Sequence, residues 1–104
     1  MGRPQADTEE KVTSRTVDEV SEPPMYKVLL LNDDYTTMDF VVEILMLVFH
    51  QPLEKATRIM LKVHRQGVGL CGVYTYEIAE TKVEMVHALA REKEFPLKCT
   101  MERD

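Results

Sequence analysis

The chain has 104 residues, of which 44% are apolar and 30% charged, with a formal charge of −5. A chain of that size can bury one modest core, and an acidic balance without a clustered basic patch excludes a general nucleic-acid role, which needs cations against phosphate. No uninterrupted apolar run reaches the roughly 18–20 residues that span a bilayer, and MGRPQADTEEKVTSR lacks the apolar centre of a signal peptide.

Residues 1–24 hold almost no large apolar side chain and are rich in Glu, Asp, Thr, Ser and Pro. Burial cannot offset the ordering entropy of such a segment, so a disordered N-terminal extension is expected there, closed by Pro23-Pro24. The globular pattern runs over 25–104. Tyr26 to Leu31 is β-favouring and apolar enough for a strand buried on both faces. Thr36 then reads as a helix N-cap, with Asp39 three positions later as in a capping box. Met38 through Phe49 continues as an apolar helix that His50-Gln51-Pro52 ends.

A second helix is predicted from about Leu53 to Gln66, stopped where Gly67 can take a left-handed conformation. Leu70 to Tyr74 reads as a strand. Thr75 caps a third helix, Tyr76 to about Lys93, with Ile78, Val83, Val86, Leu89 and Ala90 as its apolar stripe. After the break at Pro96, Leu97 to Met101 is the last strand. The order β-α-α-β-α-β predicts an α+β sandwich, a small three-stranded antiparallel sheet packed against three helices. Pattern alone leaves the strand order open. Cys71 and Cys99 lack metal spacing and read as buried reduced thiols of a cytoplasmic protein.

The chemistry concentrates at NDDYTTM, Asn32 to Met38, where two apolar runs meet. Asn and Asp favour turns because their side chains bond nearby amides, so a structural loop is the first reading. Asp33 and Asp34, however, are adjacent like charges with no neighbouring Lys or Arg, an arrangement that a cationic ligand relieves. On the second helix Met60 and His64 are four apart, with Val63 beside them, so they share one side. Alone, such a His is more often a structural residue, and such a Met core filler. Nothing resembles a nucleophile elbow or a phosphate-binding loop. A metal held by Asp33, Asp34 and His64 is disfavoured because no two of the three histidines have ligand spacing. Thus no enzyme, no metal and no cofactor is expected. A hydrolase using Asp33 and His64 lacks a nucleophile.

Several segments together, YKVLLLNDDYTTMDFV, ATRIMLKVHRQGVGLCGVYT, EIAETKV and FPLKCTME, closely resemble the ClpS family, small adaptors of the Clp protease, over residues 25 to 103 in order. The resemblance implies a monomeric, non-enzymatic receptor for N-degrons. It would bind proteins whose exposed first residue is Leu, Phe, Tyr or Trp and deliver them to the N-terminal domain of a ClpA-type AAA+ unfoldase. By position, it assigns the substrate α-amino group to Asn32, Asp33 and His64. The side-chain pocket falls to Thr36, Met38, Val41, Met60, Val63 and Leu97, with Met38 as a gate against β-branched guests, and loop support to Asp34. Unfoldase docking falls to Glu77 and Lys82, residues that are otherwise read as the solvated side of an amphipathic helix. The family's usual loop has Pro where this chain has Thr37, which puts the shape of the gate in question. The rival reading is a ribosomal-stalk-like interaction domain of similar small α/β shape without recognition of a first residue.

Overall fold

The computed structural model describes residues 22–104. The expected disordered extension lies outside these residues except at 22–24, which are exposed and belong to no helix or strand. The elements come in the predicted order: β1 (Met25–Leu31), α1 (Met38–Leu47), α2 (Leu53–Gln66), β2 (Val68–Thr75), α3 (Tyr76–Glu92) and β3 (Lys98–Arg103). β1 is the central strand of an antiparallel sheet of order β2-β1-β3.

The core lies between this sheet and the helices. Val28 and Leu30 of β1, Cys71 of β2 and Cys99 of β3 are buried with Ile44, Leu45, Ala56, Ala79 and Val86. β1 is therefore not buried on both faces: Leu29 and Leu31 remain intermediate. The helices cover one face, and the period-2 alternation turns the other side chains away from it. α3 packs on all three strands, while α2 contacts β2 and α1.

Strand β2 departs from simple alternation. Its pairing with β1 runs Val28↔Gly72 and then Leu29↔Leu70, so Cys71 is an extra, bulged residue. Gly69 and Cys71 are both buried, and past the bulge it is Gly72 and Tyr74 that pair with Val28 and Tyr26. Gly69 meets a second demand. A Cβ added there would come within 2.6 Å of Val63 Cγ2, so glycine is what allows α2 to lie this close to the strand. The Gln51 amide donates to the Cys71 carbonyl at 3.1 Å, fastening the α1–α2 connection to the bulge.

Three local expectations are corrected. The N-cap of α1 is Thr37, whose hydroxyl accepts from the Phe40 amide at 3.1 Å. Thr36 lies one residue outside that cap position, and its hydroxyl and amide both donate to Asp33. α1 ends at Leu47, two residues short of the predicted end, and Val48 and Phe49 form a turn into His50, which has a left-handed φ of 56°. On α3 the buried set is Ala79, Val86 and Ala90, joined by the partly buried Val83 and Leu89. Ile78 is instead 50% exposed, because the face set by 79, 83, 86 and 90 leaves it a full residue out of phase. Thr75 holds the cap position of α3 without a side-chain bond to the helix.

β3 begins at Lys98, so Leu97 precedes it as a buried anchor. The Cys99 amide donates to His87 Nε2 at 3.0 Å, and α3 thereby satisfies a donor of this edge strand. Cys71 and Cys99 are free and buried, on the strands that flank β1 on opposite sides. Burial pushes the Cys99 thiol up to about 12 and raises that of Cys71 as well, which leaves both unreactive at neutral pH.

Candidate functional site

The site starts from the way Asp33 folds its own loop. Its Oδ1 accepts from the amides of Tyr35, at 2.8 Å, and Thr36, at 2.7 Å, and its Oδ2 accepts from the Thr36 hydroxyl at 2.7 Å. Burial alone would raise this carboxyl, but the three hydrogen bonds outweigh it and hold it below its ordinary 3.8. Asp33 is thus a carboxylate at any physiological pH. The loop it shapes delivers Thr37 to cap α1, with Met38 next at the helix start.

A second fastening sets the loop against α2. The Asn32 amide donates to the Gly67 carbonyl at 3.0 Å. Gly67 closes α2 with a left-handed φ of 91° while its amide donates to Val63 at 2.9 Å. Asn32 is therefore anchored at the end of α2, one turn past His64. The carbonyl end of a helix carries partial negative charge and favours a cation.

Between loop and helix lies a cavity of about 390 Å³, lined by Asn32 through Met38 and by Met60, Val63 and His64. Asn32, Asp34 and His64 are exposed and Asp33 is intermediate. Met60 and Val63 are buried, and Met38 is 45% exposed at the rim. The cavity thus combines polar acceptors with an apolar wall. Hydrogen bonds to a charged partner contribute about 1.5–3 kcal/mol each, and full burial of a Leu- or Phe-sized side chain adds about 1.5–3 kcal/mol. Among the described residues no three His, Cys, Asp or Glu side chains come together to hold a metal.

Of the twelve residues singled out from the sequence, eight line this cavity: Asn32, Asp33, Asp34, Thr36, Met38, Met60, Val63 and His64. Val41 and Leu97 do not. Val41 is buried in the core, and Leu97 borders a separate depression with His87, Phe95 and Lys98. That depression lies between the end of α3 and the start of β3, a placement that a linear motif cannot reveal. Glu77 is exposed in the first turn of α3. Lys82 is tied down: its ammonium donates to the Val48 carbonyl at 2.7 Å and sits 5.4 Å from the centre of the Tyr74 ring.

Two further residues line the cavity: Tyr35, not singled out from the sequence, and Thr37, noted there as standing where the family's loop usually has Pro. Tyr35 is 76% exposed.

Residues 21–100 match the family model of the ATP-dependent Clp protease adaptor protein ClpS. The chain belongs to the ClpS family. The ATP-dependent Clp protease adapter protein ClpS of Syntrophus aciditrophicus (strain SB) is 64% identical over 85 residues, covering 82% of this chain and 79% of the relative. That of Nitratidesulfovibrio vulgaris (strain DSM 19637 / Miyazaki F) is 65% identical over 85 residues, covering 82% and 85%. A solved structure, Agrobacterium tumefaciens ClpS2 bound to L-phenylalaninamide, superposes with a TM-score of 0.77 at 41% identity, covering 80% of this chain and all of that one. ClpS relatives are named as adaptors, a non-catalytic role. No helix among the described residues is long and apolar enough to cross a membrane.

Proposed function

We propose that this ClpS-family adaptor captures proteins by a free N-terminus that carries a bulky apolar first residue, Leu, Phe, Tyr or Trp, and delivers them to a ClpA-type AAA+ unfoldase. The observation that carries the reading is the one cavity in which Asn32, Asp33 and His64 border the same space as Met38, Met60 and Val63. A free α-amino group is mostly an ammonium at pH 7, with three donors, whereas an internal peptide N–H offers one and no charge. Asp33 supplies charge, the Asn32 side-chain oxygen direction, and a neutral His64 nitrogen a further acceptor. Met38 and Met60, being unbranched and polarizable, adapt to aliphatic and aromatic guests. A β-branch on the guest is rigid and meets the rim at Met38, where exclusion is easiest.

The ligand in the Agrobacterium ClpS2 structure supports this, since L-phenylalaninamide unites a free α-amino group with one bulky side chain. On the delivery side, the exposed Glu77 is the contact available to the unfoldase, and Lys82 acts by holding the α1 terminus and α3 together. Residues 1–20 would be engaged by the motor during handover.

Fluorescence anisotropy with peptides that differ only in a first residue of Leu, Phe, Trp, Ile or Val tests the receptor. Leu, Phe and Trp should bind, and Ile and Val should bind at least tenfold more weakly, on the order of the 1.4 kcal/mol that a rim clash costs; equal affinity across the series would refute the pocket. Removal of residues 1–20 should spare peptide binding and slow degradation by the unfoldase–peptidase complex. Unchanged degradation would remove the tail from delivery.

A further inference from the structure

Four of the chain's thirteen Lys and Arg residues, Lys55, Arg58, Lys62 and Arg65, are dispersed in sequence but gather on α2. Their spacing of three, four and three residues, at about 3.6 residues per turn, puts them in one row within about 80° of arc. All four are exposed, and the buried Ala56, Met60 and Val63 lie on the opposite side of the helix. Among the described residues the ion pair is Lys27 with Glu102 at 3.6 Å, so no carboxylate neutralises the row, and Glu54, the one acid of α2, leaves it unpaired. The start of the chain has the opposite charge. Residues 1–24 carry six acids against three bases, and 16–24 hold Asp18, Glu19 and Glu22 with no base at all. We propose that the row on α2 docks the chain's own acidic N-terminal segment, residues 8–22, and holds it on the folded part by salt-sensitive ion pairs.

The place where that segment joins the fold favours this occupant. Met25, the first residue of β1, pairs with Thr75 of β2, and β2 is the strand that α2 lies against. The Gln51–Cys71 bond sets the approach to α2 beside the middle of β2, about 13 Å from Thr75 at roughly 3.3 Å per strand residue. Asp18 and Glu19, which precede Met25 by about six to seven residues, extend about 20–25 Å, enough to arrive at Lys55 and Arg58. The row rises about 15 Å from Lys55 to Arg65, and the stretch back to Glu9 and Glu10 covers that with slack to meet Lys62 and Arg65. Exposed ion pairs are individually weak. The short connection, however, holds the segment at an effective concentration in the millimolar range, so a few pairs suffice at low ionic strength and fail when salt screens them. A phosphate polymer fits less well, because it would have to displace this anionic segment and approach a chain of net charge −5. The docking stands apart from the receptor reading, since none of the four cations lines the amine cavity. On the delivery reading, a partner that takes up residues 1–20 must first break these pairs.

The test places a nitroxide on Ser14→Cys in the full chain, where burial of Cys71 and Cys99 leaves the new thiol as the reactive one, and follows amide broadening by NMR. At about 20 mM salt, amides of residues 55–65 should broaden at least about threefold more than those of the exposed Glu84 and Glu92 on α3. The excess should vanish at about 0.5 M salt, where screening confines charge interactions to a few ångströms. Lys55→Glu together with Lys62→Glu should abolish it as well. So should Asp18→Lys together with Glu19→Lys, a pair that leaves the folded part untouched. An excess that survives both pairs of substitutions, or high salt, overturns the ion-pair row, and broadening spread evenly over the surface overturns the docking. Mixing isotope-labelled chain with unlabelled, nitroxide-bearing chain shows whose segment is held: no broadening is expected, and broadening at 55–65 would give the row to a second copy instead. A short oligothymidylate should not bind at about 0.15 M salt; micromolar affinity that the Lys55→Glu and Lys62→Glu changes remove would make the row a nucleic-acid surface and overturn the proposal.

Discussion

In the cavity at the Asn32–Met38 loop, a few acceptors border one space, and the Asp33 carboxylate among them is held by three hydrogen bonds. In a groove between α1 and α2, apolar side chains stand exposed with two carboxylates at the edge. The first arrangement can discriminate sharply, because a charge-assisted hydrogen bond is either made or missing. The second can only grade, because apolar contact and screened surface charge scale with area and distance. The receptor of chain beginnings proposed above would draw its sharp test of the terminus from the first arrangement.

Acetylating the α-amino group of a Leu-initiated peptide gives the largest separation between the regions. It removes the charge and the donors that only the cavity reads, so affinity should fall more than about a hundredfold. Titration calorimetry that finds the acetylated peptide bound undiminished would refute the amine reading of the cavity. Next in size is Asp33→Asn, which should weaken peptide binding roughly ten- to a hundredfold through loss of one charged acceptor. Its effect on folding has a definite pH dependence. Hydrogen bonding holds the folded Asp33 carboxyl below 3.8, so its contribution to stability is complete above that value and is lost as pH falls through the folded value. The stability gap between wild type and Asp33→Asn should therefore be widest at neutral pH and narrow on acidification below about pH 4. Denaturant midpoints that keep a constant gap down to pH 2.5 would show that the Asp33 charge contributes nothing to the fold.

Gly69→Ala tests the support beneath the cavity. Crowding against Val63 should destabilise the chain by about 1–3 kcal/mol and shift α2, lowering peptide affinity as well; unaltered denaturant midpoint and affinity would show the approach of helix and strand to be unimportant. The smallest effect is expected from Thr37→Ala, about 1 kcal/mol of stability from the lost cap. Thr37→Pro should recover part of it by restricting the unfolded chain, since Thr37 already has a φ of −75° that proline accepts. Chemical denaturation of the three proteins ranks them.

The acceptors of the site were legible in the sequence because they sit in one seven-residue run, and the helical spacing of Met60, Val63 and His64 put the opposite wall on one side of α2. Other details were not. Thr36 and Thr37 are equally good caps by type, and the folded loop, in which Asp33 draws three hydrogen bonds, leaves Thr37 in the cap position. Lys82 reads as one more exposed charge on an amphipathic helix, yet its partner carbonyl, at Val48, is 34 residues away. Leu97 matched the motif but lies on the depression beside His87.

By itself the sequence determined the order and type of the six elements, the stop at Gly67 and the acidic turn, since each depends on neighbours within a few positions. The tertiary structure decided that β1 is central, that Cys71 is bulged and that the Asn32 amide rests on the Gly67 carbonyl. Those outcomes depend on which distant faces fill one another's space, a competition among packed arrangements that local propensity does not enter.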